Sequence, residues 1–180
     1  MNPTKDILEL LFATVATIVA TLTGLIGAFS TFRLQNINRE VNLLKDLVLN
    51  KKFENEQTIK GFLRTDNYGL MVKIYDQTME GARLLKNTVL DNGFDKHFSE
   101  LLIDVDNIIS NQMLHDQIKA LTVKGFKTSL AFVFLSLILL VCTNCLMYSG
   151  HLFWVGLIIY LSLVGYVLFL FVKQLEKLID

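Results

Sequence analysis

Residues 12–32 read FATVATIVATLTGLIGAFSTF, an uncharged run of membrane length in which small and large side chains are sorted around one helix. On a 3.6-residue period one row is Ala13, Ala16, Ala20, Thr23, Gly27, Ser30, and the row beside it is Thr14, Thr17, Thr21, Gly24, Ala28, Thr31. The large residues Phe12, Val15, Ile18, Val19, Leu22, Leu25, Ile26, Phe29 and Phe32 fill the remaining face. This sorting predicts a transmembrane helix with its large face in lipid and its small face against a close neighbour. Packing, not water exclusion, holds membrane helices together, and small side chains let backbones approach. Ala16, Ala20 and Gly27 are the expected helix-packing positions, and the spacing of four through Ala16, Ala20, Gly24 and Ala28 also suits a tight crossing.

Working outward, the apolar run extends back to Ile7, so the first span covers about 39 Å at 1.5 Å per residue against a hydrocarbon core of about 30 Å, which calls for tilt. The amino-terminal residues lack a basic region and an Ala-x-Ala cleavage signal, so the segment reads as a retained anchor. Nothing from Phe32 to Lys52 breaks a helix, and Leu34, Ile37, Val41, Leu44 and Val48 continue as an apolar heptad. The hydroxylated row continues differently, into Gln35, Asn38, Asn42 and Lys45. A seam that only packs stays apolar beyond the membrane. A face that lines water turns polar, so Thr14, Thr17, Thr21, Gly24, Ala28, Thr31, Gln35, Asn38 and Asn42 are the candidate pore-lining or subunit-packing residues. Asp6 and Glu9, on the same side of the helix start, would form acidic rings at the outer mouth of a symmetric assembly.

The remainder of the chain reads as helical. A short helix is expected from Phe53 to about Leu63, a turn over Thr65–Gly69, an amphipathic helix over Leu70–Leu90 ended by Asp91, Asn92 and Gly93, and another from Phe94 to about Val123. Gly81 falls inside the third of these and marks a close contact. A second span is expected over Thr128–Met147, a linker at Tyr148–His151 and a third span over Leu152–Val172. Asn144, a buried amide in the second span, would seek a partner on another helix. The chain thus divides into residues 1–32 (outer terminus and first span), 33–127 (cytoplasmic helical domain, with 33–52 continuing the first helix), 128–172 (membrane hairpin) and 173–180 (cytoplasmic tail). The expected fold class is an all-α integral membrane protein with three transmembrane helices and a helical cytoplasmic domain between the first and second.

Basic residues near span ends set the orientation. Arg33, Arg39, Lys119, Lys124, Lys127, Lys173 and Lys177 fall on one side and only Lys5 on the other, which puts the central domain and carboxyl terminus in the cytoplasm. With 52% hydrophobic residues and mean hydropathy +0.46 the chain is too apolar for an ordinary soluble domain. Its 17 basic and 17 acidic residues form no long run of either sign, so no nucleic-acid partner is expected. The expected partners are the bilayer, further copies of the chain and a cytoplasmic protein.

Catalytic readings find little support. The chain has no phosphate-binding Gly loop, no dinucleotide motif, no Gly-x-Ser-x-Gly and no His-Glu-x-x-His, and His97, His115 and His151 are scattered. His115 with Asp116, Asp104 and Asp106 reads as a solvated helix face. Cys142 and Cys145 have Cys-x-x-Cys spacing but lack the further ligands of a closed metal site, so no enzyme activity, cofactor or metal is expected. By architecture alone, three spans with a helical cytoplasmic domain, the outline resembles small membrane effectors that accompany bacterial defence systems and depolarise the cell. That resemblance implies a pore-forming role at a bacterial inner membrane. From the aligned small-then-polar stripe Thr14 to Asn42, the expected function is a homo-oligomeric channel lined by the first helix, and the competing one is a non-conducting anchored adaptor that recruits a cytoplasmic partner.

Overall fold

The computed structural model describes residues 3–52, 58–94, 100–143 and 150–179. These are nearly all helical and include no strand: α1 (Pro3–Leu49), α2 (Ile59–Asp66), α3 (Tyr68–Tyr75), α4 (Met79–Asp91), α5 (Glu100–Val141) and α6 (Gly150–Ile179). Three of them, α1, α5 and α6, are long and apolar enough to cross a membrane. The chain forms two compact units, one made of Met1–Thr31 with Ile118–Asp180 and the other of Phe32–Gln117.

The first unit packs the three long helices around aromatic rings. Leu8, Phe12, Val19 and Ile26 of α1 are buried with Phe132 of α5 and Tyr160, Val167 and Phe171 of α6. Tyr160 sits at the centre, edge-on to Phe12 at 5.0 Å and stacked on Phe132 at 5.3 Å, with its hydroxyl 3.1 Å from Ser136 Oγ. The large face of α1 is therefore divided. Phe12, Val19 and Ile26 enter the core, and Ile18, Leu25 and Phe29 remain exposed. Lower in this unit Gln174 of α6 donates its amide to the Leu121 carbonyl and lies against Gly125, where a Cβ would meet that amide.

The second unit is a helical cluster in which the apolar rows meet. Ile37, Val41, Val48 and Leu49 of α1 are buried with Ile59, Leu63, Ile74, Ala82, Leu85, Val89, Leu101, Val105 and Ile108. Side-chain caps divide its short helices: Thr58 Oγ1 accepts from Gly61 N at 3.0 Å, Asn67 Oδ1 from Leu70 N at 3.0 Å, and Thr78 Oγ1 from Gly81 N at 3.2 Å. Gly93, at φ 67°, ends α4 and turns the chain into buried Phe94, whose ring meets Phe62 edge-on at 5.6 Å.

Several expected boundaries differ. The single helix expected over Leu70–Leu90 is two, because Asp76 is extended (φ −57°, ψ 135°) and Thr78 caps a new start. Gly81 lies in the first turn of α4, not in mid-helix, and a Cβ there would stand 2.7 Å from the carbonyl oxygens of both Lys73 and Asp76. The expected break between Val123 and Thr128 is absent. α5 passes through Lys124–Lys127 as one helix, since that segment holds no residue that interrupts the ladder. Gly150 and His151 belong to α6, not to a linker, and α6 continues past Val172 to Ile179. Of the helix expected from Phe53, the described part starts at Ile59.

Candidate functional site

In the first unit the expected lining residues Thr14, Thr17, Thr21, Gly24, Ala28 and Thr31 are all exposed. At 100° per residue they lie about half a turn around α1 from the Val19 row that enters the core. A Cβ added at Gly24 or Gly27 meets nothing within 4 Å. α5 and α6 thus leave this stripe uncovered. The hydroxyls of Thr17, Thr21 and Thr31 each donate to the carbonyl one turn back at 2.8 Å, which spends their protons on the helix and leaves oxygen lone pairs outward.

The flanks of the stripe are unlike. Ile18 and Leu25, 50% and 52% exposed, step by a heptad on one side, and Ala13, Ala20 and Gly27 step by a heptad on the other. Of the expected packing residues, Ala16 is buried, Ala20 is exposed, Gly27 is half-buried with open space beside it, and Asn144 lies outside the described residues. Asp6 is exposed, whereas Glu9 is half-buried and paired with Lys5 at 3.6 Å.

In the second unit Gln35 is exposed and Asn38 and Asn42 are half-buried. With Arg39, Asp46 and Gln77 they line a concavity of about 460 Å³. Lys45, the last member of this polar row, turns inward instead. It is fully buried and its Nζ donates to the Asp76 carbonyl at 2.8 Å. Burial pushes its ammonium pKa below the ordinary lysine value, with the Asp76 carboxylate opposing. Next to it Tyr75 donates its hydroxyl to Asp46 Oδ1 at 2.7 Å, and burial together with that bond raises the phenol to about 12. From α5, buried Gln112 donates Nε2 to the Gln77 carbonyl at 3.2 Å. Two side chains from the two long helices therefore hold successive carbonyls of the α3–α4 elbow.

Sequence reasoning missed this clamp. Its signals are a lysine set against the heptad Val41, Leu44, Val48 and a glutamine following Val105 and Ile108 on one face. The His115 cluster does not gather: His115 Nδ1 meets Asp116 at 3.2 Å, while Asp106 pairs with Lys86 at 2.8 Å. Among the described residues no group of three or more His, Cys, Asp or Glu is placed to hold a metal. Cys142 is exposed and Cys145 lies outside the described residues. No known family model, curated protein or solved structure matches this chain.

Proposed function

We propose that this protein is a homo-oligomeric membrane channel or pore lined by α1, with the Phe32–Gln117 unit serving assembly, gating or docking on the cytoplasmic side. The observation that carries the reading is the exposed hydroxyl stripe Thr14–Thr31, opposite a fully formed three-helix core. A helix whose packing needs are already met inside its own subunit has that stripe free for a lumen or for another subunit. The unlike flanks favour a ring. In a head-to-tail arrangement the Ile18–Leu25 row of one copy would face the Ala13–Ala20–Gly27 row of the next, and a heterologous contact of this kind closes into a cycle when its rotation divides a full turn. The outward lone pairs of the back-bonded threonines suit cations, as does exposed Asp6 at the outer end. Lysine and arginine placement supports an orientation with the amino terminus outside and the carboxyl terminus in the cytoplasm, and the proposed membrane is a bacterial inner membrane.

The test is reconstitution. Wild-type protein in liposomes should dissipate an ion gradient, and Thr21→Trp or Gly24→Trp should block that leak while the protein stays membrane-inserted. Leak unchanged by both substitutions, or a monomer in non-ionic detergent, removes the proposal.

A second reading, the non-conducting adaptor, is favoured by a different observation. Leu43 and Leu47 are 59% and 66% exposed in the second unit and line a groove of about 480 Å³ with Asp46 and Asp104. Liposomes separate the two, since an adaptor leaves the gradient intact.

A further inference from the structure

The concavity on the polar row of α1 has the composition of a site for a small ligand carrying both charges. Arg39 and Asp46 stand a heptad apart on one side of α1, about 10 Å along the axis at 1.5 Å per residue, and both line the same space. Among the described residues neither has an ion-pair partner. Asn42 lies between them, and Gln35 and Asn38 extend the lining past Arg39 toward the start of the helix. The concavity, of about 460 Å³, is wide open to solvent, so a ligand there lies across it with one side in water.

The walls are fixed from behind. Tyr75 holds one oxygen of Asp46, and among the described residues nothing holds the other; Gln112 holds the Gln77 carbonyl, and Lys45 holds the carbonyl before it. Gln112 and Lys45 are fully buried, and burying an amide and an ammonium to anchor one short elbow is costly for a wall that has only to close the fold. A wall set in advance spares a ligand the cost of ordering it.

We propose that this concavity binds a small zwitterion whose charges are several bonds apart, its anionic end on the Arg39 guanidinium and its ammonium on Asp46. An ion of one sign is disfavoured, because it would leave the opposite wall facing a like charge. A zwitterion with adjacent charges is too short to reach both. The site is carried by the second unit alone, so it stands whether or not α1 lines a lumen.

The test is isothermal titration calorimetry on the full chain in a maltoside detergent, with 6-aminohexanoate as the probe and hexanoate, hexylammonium and glycine as comparators. Saturable binding of 6-aminohexanoate is expected, at least tenfold tighter than any comparator. Arg39→Gln should weaken it at least tenfold, and so should Asp46→Asn, with Tyr75→Phe separating loss of the Tyr75 bond from loss of the carboxylate. Arg39 is exposed, so its replacement leaves the helical fold intact by circular dichroism. Equal binding of hexanoate overturns the proposal in favour of a plain anion site, and absence of binding by every probe, or affinity unchanged in Arg39→Gln, overturns it outright. None of these readings depends on conduction, so failure here and failure of the channel proposal remain distinct.

Discussion

The Nζ of Lys45 reaches the main-chain carbonyl of Asp76, 2.8 Å away, from a position with no exposure to water. The bond crosses from α1 to the residue that caps α3, and it closes the elbow from which α4 departs. Lys45→Met keeps most of the volume and removes the donor and the charge. An orphaned carbonyl costs about 1–3 kcal/mol, offset by relief of the desolvated ammonium, so a net loss of about 1 kcal/mol is expected. Lys45→Ala adds a cavity and should lose about 2–4 kcal/mol. Chemical denaturation followed by helical circular dichroism measures both, and equal effects would show that the head group of Lys45, not its stem, matters.

Gly81 and Gly24 make a contrasting pair. A Cβ at Gly81 meets two main-chain oxygens at 2.7 Å, neither of which belongs to a flexible side chain, so Gly81→Ala should cost about 1–3 kcal/mol despite its better helix propensity. Gly24 has open space, and Gly24→Ala should leave the stability of a single chain unchanged or raised by up to about 1 kcal/mol. Thermal unfolding of the two variants checks the order.

Alkaline stability should be governed by Tyr75. Its phenol is raised from 10.0 to about 12 in the folded chain, so the stability it contributes is full below pH 10 and is lost as pH climbs through about 12. Lys45 has the opposite sign. With its pKa depressed, the folded state binds fewer protons than the unfolded state below 10.5, and stability rises with pH toward that value. Tyr75→Phe should therefore flatten the fall in melting temperature above pH 10, and Lys45→Met should flatten the rise below it. A Tyr75→Phe variant that falls as steeply as wild type would contradict this assignment.

Tyr160 couples ring packing to a hydroxyl bond inside the three-helix core. Tyr160→Phe loses the contact with Ser136 and should cost about 0.5–1 kcal/mol, and Tyr160→Ala also loses both Phe contacts and should cost about 3–5 kcal/mol. Unfolding titrations in detergent separate the two magnitudes.

Periodicity and turn chemistry made much of this fold legible in the chain itself. Three long apolar helices follow from runs such as residues 12–32, and the core of the second unit follows from Ile37, Val41, Val48, Leu101, Val105 and Ile108, because helical spacing is a local property that burial simply uses. The elbow at Asp76–Thr78 was hidden. Residues 70–90 keep a helical rhythm across the break, and only Lys45 and Gln112, far away in the chain, hold the carbonyls that the break frees. The division of the large α1 residues was hidden too, since periodicity sorts side chains by size but does not say which side a neighbour occupies. Sequence by itself determined that three long apolar helices are present and which residues share a face. Tertiary structure alone decided which face is spent inside the subunit, because that depends on aromatic rings contributed by α5 and α6, more than a hundred residues along the chain.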